Sequence, residues 1–374
     1  MKIFLVAPPG LEPQLAAEAR EAGFDGVEAA PGGVTLQGDW ADVRRANLTL
    51  RGAGRVQAQI GEFRAFHLAQ LDKRARKFPW ADWLRPDIAV RVEVHTDRRS
   101  KIYHAGAAKQ RIETAIAETL GAPVADAGTD TGTDRGTVTI RARIDDNLVI
   151  LSIDTSGAPL HKRGYKAAIG KAPMRETMAA LFLRAAGFDG RMPVLDPMCG
   201  SGTFVIEAAC IAAGLDPGRA RRFAFEDLAG HDAAAWAAER DRPAPPLPEL
   251  RFTGSDRDAG AFAAARANAE RAGVAAICDF RRATVSEIAP PEGPPGLVMV
   301  NPPYGTRVGD RKPLFGLHGA LGAVLRERFA GWRVGLVTSE PALAKATGLD
   351  WSEVGPPVPH GGLRVKLYRC DPLG

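Results

Sequence analysis

Cysteine is scarce in this chain: Cys199, Cys210, Cys278 and Cys370 are the only four in 374 residues, and no two stand in a C-x-x-C pair. That density excludes a disulfide-stapled fold and the spacing excludes a thiolate zinc site, so reduced thiols in the cytoplasm and no metal are expected. No apolar run approaches the roughly 20 residues that span a bilayer, which excludes a membrane-spanning helix. The opening Met1-Lys2-Ile3-Phe4-Leu5-Val6-Ala7-Pro8 lacks the longer apolar segment of a signal peptide and reads as a first strand. An excess of one charge is also missing: 49 Lys and Arg against 44 Asp and Glu leave a net +5, too little to indicate a polyanion partner by itself.

What is present is globular, with 45% hydrophobic and 25% charged residues. The length suggests two or three domains. The basic charge is concentrated: residues 64 to 111 hold twelve Lys/Arg against five Asp/Glu, with Phe66, Phe78, Trp80, Trp83 and Tyr103 interleaved. Such a mixture is the footprint of a phosphate-binding surface, although a solvated basic face has the same composition.

Along the first half, a strand, a helix from Leu11 to about Ala22, two short β runs around Pro31-Gly32-Gly33, a helix from about Trp40 to Leu50 and a strand near 55 to 60 spell βαββαβ, a ferredoxin-like α+β unit. A basic amphipathic helix is predicted from Phe66 to Leu84, a half-exposed strand from Ile88 to His95 and a helix from Gly106 to Leu120. A polar loop spans 127 to 136, and a hairpin turns across Asp145-Asp146-Asn147. The tract from Pro159 to Lys166 reads as a basic linker that ends the first half, with His161 to Lys166 touching a nucleic-acid backbone at most. Beyond it, regular β-α-β alternation predicts a doubly wound, largely parallel sheet, a Rossmann-like α/β domain whose ligands sit at the carboxyl ends of the strands. Pro-rich interruptions at 241–248 and 289–296 are loops.

Two motifs fall at strand ends. Val194-Leu195-Asp196-Pro197-Met198-Cys199-Gly200-Ser201-Gly202-Thr203 runs from strand through a glycine turn into a helix, so backbone N–H groups and a helix start face a ligand. No Gly-Lys-Ser/Thr follows and the third glycine of a dinucleotide fingerprint is absent. Asp196 has the wrong sign for a diphosphate and the right sign for an ammonium, which points to S-adenosylmethionine. Asp256, followed by Arg257 at the end of the next strand, is placed to accept ribose hydroxyls; a plain N-cap would look the same. The second motif is Asn301-Pro302-Pro303-Tyr304-Gly305, after the apolar run Leu297 to Val300. Prolines hold the loop and leave carbonyls free, so Asn301 and the Pro302 carbonyl can take both hydrogens of an exocyclic amine while Tyr304 stacks on its ring. Cys199 has no acid or base beside it in sequence and reads as a small turn residue.

These two motifs together resemble the class I methyltransferases that modify exocyclic amines. More narrowly, with Gly10-Leu11-Glu12 and Leu160-His161-Lys162-Arg163-Gly164-Tyr165, the chain resembles the bacterial RNA guanine-N2 methyltransferases that carry an N-terminal THUMP domain, including the amino-terminal half of the large-subunit rRNA methylase. The resemblance implies a ferredoxin-like domain over 1–60, a THUMP RNA-binding domain over 61–155, a linker over 156–172 and a catalytic domain over 173–374. It also implies RNA, ribosomal or transfer, as partner of the basic half. One departure stands out: where the family places an acidic or polar residue for the adenine amine, the third strand here ends in Ala283-Thr284, leaving backbone groups or Asp279. The competing readings are a DNA adenine-N6 or cytosine-N4 methyltransferase, a non-catalytic RNA-binding protein and a nicotinamide-dependent oxidoreductase, the last weakened by the incomplete glycine pattern.

Overall fold

The computed structural model describes residues 1–125, 136–167, 174–243, 245–304 and 312–374. They fall into two compact units, one of Met1–Val6, Ala19–Leu160 and Arg221–Arg242, the other of Ala7–Glu18, His161–Ala220 and Pro243–Gly374.

The chain opens with β1 (Lys2–Val6), α1 (Glu12–Glu21), β2 (Asp25–Ala30), β3 (Gly33–Gln37), α2 (Trp40–Thr49) and β4 (Arg55–Arg64). β1 lies antiparallel between β3 and β4, which gives the order β2-β3-β1-β4 of a ferredoxin-like sheet. α2 starts where it does because the Asp39 carboxylate accepts the N–H groups of Ala41 and Asp42, at 2.8 and 3.2 Å. Next come α3 (Leu68–Arg76), β5 (Ala89–Thr96), α4 (Ala105–Leu120), β6 (Thr137–Asp145) and β7 (Leu148–Asp154). β7 pairs antiparallel with β4, so one sheet continues as β2-β3-β1-β4-β7-β6-β5. Asp146 and Asn147, at φ 48° and 61°, make the left-handed turn between β6 and β7 that a two-residue hairpin requires.

Two expectations need correction in this half. β4 runs on to Arg64 rather than ending near 60, with a register shift between Gln59 and Gly61 that lets the ladder resume. The predicted helix from 66 to 84 stops at Arg76, because Pro79 forbids helical geometry at Phe78. A short 3-10 turn at Trp80–Asp82 follows and buries Trp80, whose indole N–H donates to the Ala75 carbonyl at 2.8 Å. The loop expected at 127–136 lies outside the described residues except at Gly136.

The second half supplies α5 (Glu176–Ala185), β8 (Val194–Asp196), α6 (Thr203–Ala212), α7 (Ala233–Arg240), β9 (Phe252–Asp256), α8 (Ala259–Ala272), β10 (Cys278–Arg282), β11 (Leu297–Val300), α9 (Lys312–Arg328), β12 (Arg333–Thr338), α10 (Pro341–Ala346), β13 (Glu353–Val354), β14 (Val358–His360) and β15 (Leu363–Cys370). The main path is β10-β9-β8-β11-β12-β15-β13, parallel from β10 to β12 with β15 antiparallel. This is the class I methyltransferase order. β11 is apolar at all four residues and β8 at Val194 and Leu195, and every residue of both strands is buried, as expected where a parallel sheet is covered on both faces. Val298, Val300, Leu321, Leu325, Phe329 and Leu336 form the core on one side. The strand order reverses between β8 and β11, which is where such sheets leave a crevice.

Candidate active site

Register brings the two sequence motifs to one end of the sheet. Asp196 on β8 is level with Gly254 on β9, and Leu195 is level with Val298 on β11. Asp256 therefore ends β9 two residues beyond that level, and Asn301 follows the last residue of β11. The turn after β8 emerges between these two strand ends.

The turn takes its shape from Gly200 and Gly202, at φ 52° and 84°, a region a side chain rarely tolerates. A Cβ at Gly202 would also stand 3.1 to 3.2 Å from Ile206, Ala265 and the Phe280 ring. Backbone bonds fix the rest: Cys199 N–H donates to Ser255 O at 2.9 Å, and Met198 N–H to Asp196 Oδ1 at 3.0 Å. Gly202, which precedes α6, makes no side-chain cap, so the positive start of the helix stays open. Pro197, Ser201 and Thr203 are buried, and Met198 is half-buried.

Asp196 is 2% exposed, and burial, seconded by the charge of Asp256, pushes its carboxyl up to about 8. A cation beside it would reverse that shift. This donor set, a buried carboxyl and an open helix start, fits a ligand with a cationic amino-acid end better than one with a phosphate. Asp256 accepts Gly200 N–H on one oxygen at 3.0 Å and Asp258 N–H on the other at 2.9 Å. Each oxygen keeps a second lone pair, so hydroxyl recognition is compatible with the bonds it already makes. Arg257 is exposed, and its carbonyl accepts from Arg282 Nε at 3.3 Å. The Cys199 thiol is pushed well above its ordinary range by burial, consistent with a turn residue.

At the end of β11, Asn301 is half-buried, and its Oδ1 is a buried acceptor with no donor among the described residues. Pro302 is buried, Pro303 exposed, and Tyr304 half-buried with its phenol pushed up to about 12 by desolvation. Gly305 lies outside the described residues. Thr284 is committed to Glu287, through its hydroxyl at 2.8 Å and its N–H at 2.7 Å, while Asp279 faces an ion pair with Arg281 at 2.6 Å.

Three neighbours escaped the sequence reading. The Phe280 ring lies against Gly254, where a Cβ would meet it at 2.7 Å, and so walls the turn. Asn268, fully buried on α8, donates to Ser201 O at 3.0 Å. Lys166 reaches Thr203 Oγ1 at 2.8 Å, which corrects the reading of its tract as a linker against RNA backbone: Arg163 and Tyr165 are buried. An asparagine inside an alanine-rich helix was the one available signal, since a polar residue there needs a partner.

Known methyltransferases are similar to this chain over most of its length. Residues 163–356 match the family described as RMKL-like, methyltransferase domain, and residues 2–57 match the RlmL ferredoxin-like domain. "Ribosomal RNA large subunit methyltransferase K/L" of Syntrophotalea carbinolica is 36% identical over 99% of this chain and 53% of its own length, so the chain spans about half the length of such relatives. "Putative RNA methyltransferase slr0064" of Synechocystis is 31% identical over 98% of this chain and 96% of that one. Among solved structures, a predicted N6-adenine-specific DNA methylase from Listeria monocytogenes is 30% identical with TM-score 0.83, covering 99% of this chain and 95% of that one. SMU.472, a putative methyltransferase complexed with SAH, is 26% identical with TM-score 0.85, covering 100% and 98%.

Proposed function

Because this chain belongs to the RMKL-like methyltransferase family, we propose that it is an S-adenosylmethionine-dependent RNA methyltransferase acting on an exocyclic base amine, guanine N2 of large-subunit ribosomal RNA. The observation that carries the amine chemistry is the buried, unpaired Oδ1 of Asn301 at the end of β11. A buried acceptor without a donor costs about 1–3 kcal/mol, a cost that a substrate N–H would remove. The cofactor supplies an electrophilic methyl group. Asn301 Oδ1 and the Pro302 carbonyl each accept one amine hydrogen, Tyr304 stacks on the base, and the nitrogen lone pair is thereby aimed at the methyl; this is orientation rather than acid–base work. Transfer would form the N–C bond as the sulfonium S–C bond breaks, leaving S-adenosylhomocysteine and a cationic methylated amine acidic enough to lose its proton to water. Asp196 takes the ammonium of the cofactor's amino-acid end, Asp256 the ribose hydroxyls, and the turn Pro197 to Thr203 the backbone contacts, with Arg257 at the rim.

RNA is the substrate this reading favours, held by the basic half around residues 64–111 within a THUMP domain over 61–155, after a ferredoxin-like domain over 1–60 and before a catalytic domain over 173–374. Not every cation there is available. Arg99 is ion-paired with Asp97 and Asp145, Arg76 with Asp72 and Glu118, and Arg85 with Asp87. Arg98 and Lys101 are exposed, as are the rings of Phe66 and Tyr103, and Lys101 Nζ lies 5.5 Å from the Phe66 ring centre. Phosphate contacts from the first two and base stacking on the rings would form the surface. The second reading, a DNA adenine-N6 methyltransferase, is favoured only by the description of the Listeria neighbour.

Asn301→Ala tests the proposal. It should leave S-adenosylhomocysteine binding within about twofold and lower transfer to rRNA by about 10²-fold or more. Turnover near that of the unaltered protein removes the amine-binding role.

A further inference from the structure

Behind the Gly200–Thr203 turn lies a set of buried charged groups that methyl transfer does not use. Arg163 and Glu207, with side chains 3% and 1% exposed, approach to 3.3 Å, and the Tyr165 hydroxyl donates to the same Glu207 oxygen at 3.1 Å. Lys166 Nζ donates to Thr203 Oγ1 at 2.8 Å and to Met174 O at 3.0 Å, with a Glu176 oxygen at 3.5 Å. On α8, Asn268 Nδ2 donates to Ser201 O, and its Oδ1 accepts from Arg271, whose Nε donates to the Tyr165 carbonyl at 2.7 Å. The tract 163–166, α8 and the turn thus close on one another through polar side chains.

Stability alone does not account for this arrangement. An ammonium at the first residue of α6 opposes the helix dipole, and burying ions costs several kcal/mol per ion unless pairing offsets it. Burial raises the Glu176 carboxyl, an effect that Lys166 opposes. What the contacts do achieve is to hold two points of the turn, Ser201 O and Thr203 Oγ1, from two segments of the chain, α8 and the tract 163–166.

We infer that this network is a clamp that sets the cofactor turn, with Lys166 and Asn268 as its positioning residues. The inference rests on the turn binding S-adenosylmethionine. Neither residue touches reacting atoms; each acts by keeping the Gly202 region in its left-handed geometry beneath the ligand.

Calorimetric titration with S-adenosylhomocysteine, together with thermal unfolding, tests it on the full chain. Lys166→Met should weaken binding about tenfold, the loss of one well-made hydrogen bond, and lower the melting temperature by leaving Glu176 buried without its partner. Lys166→Met combined with Glu176→Gln should recover melting temperature but not affinity. Asn268→Ala should weaken binding similarly. Recovery of affinity along with stability in the double variant, or unchanged affinity in both Lys166→Met and Asn268→Ala, overturns the clamp while leaving the cofactor reading intact. An unaltered chain that binds no S-adenosylhomocysteine overturns both.

Discussion

Replacing Asp196 by asparagine separates what its carboxyl does for the fold from what it does for a ligand. The carboxyl is pushed up to about 8 in the folded chain, chiefly by burial, and titrates near 4 once exposed. Between those values the folded state holds a proton that the unfolded state has lost, so each rise in pH favours unfolding. The slope is at most about 1.4 kcal/mol per pH unit for this one group, and it vanishes above about pH 8 where both states are ionised. Asparagine carries no such term. Urea unfolding at several pH values between 5 and 9, followed through intrinsic tryptophan fluorescence, to which Trp332, buried in the same unit, contributes, should therefore show the stability advantage of Asp196→Asn growing from pH 5 to 8 and then levelling. S-adenosylhomocysteine affinity should move the other way: it rises with pH in the unaltered chain as the carboxylate becomes available to the ammonium, and it is weak and less pH-dependent in the variant. Parallel stability profiles for the two proteins would refute the buried neutral carboxyl. Equal affinities would refute its contact with the ligand.

Three further outcomes are expected. Tyr304→Ala should cost about 1–3 kcal/mol of base stacking, read as substrate KM and kcat/KM, whereas Tyr304→Phe should stay close to the unaltered enzyme; equal losses in both would make the hydroxyl the active group. Gly254→Ala places a methyl 2.7 Å from the Phe280 ring and 3.0 Å from Cys199 Sγ, and overpacking should lower stability by about 1–3 kcal/mol in denaturant titrations. Arg98→Gln with Lys101→Gln should reduce the slope of log affinity for RNA against log salt by about 1.4–1.8; an unchanged slope puts the phosphate contacts elsewhere.

The residues that made the catalytic half readable are those whose local and tertiary requirements agree. Val194–Asp196 and Leu297–Val300 are buried throughout and meet a proline within two residues of their ends, at Pro197 and Pro302, which marks where each stops. The ferredoxin-like order followed from turn residues at each end of short strands. Elsewhere tertiary packing overrode pattern. Pro79 ended a helix whose periodicity continued to Leu84. α7, an alanine-rich stretch with Trp236 as its one large apolar anchor, was hidden in a proline-flanked insertion, although the Asp232 side chain caps it. The tract at His161–Lys166 misled through charge: Arg163 pairs with a glutamate forty-four residues away, a partner no local reading supplies. Asn301 stood out in the sequence as a candidate because prolines hold its loop, and its unpaired Oδ1 could be seen only in three dimensions.

The central claim is transfer of a methyl group to a base amine, and nucleoside mass spectrometry tests it most directly. Purified chain, S-adenosylmethionine carrying a labelled methyl and unmodified large-subunit rRNA should yield labelled N2-methylguanosine, and Asn301→Ala should yield almost none. Label recovered on ribose or on a ring carbon, or N2-methylguanosine formed equally by both proteins, would contradict the account.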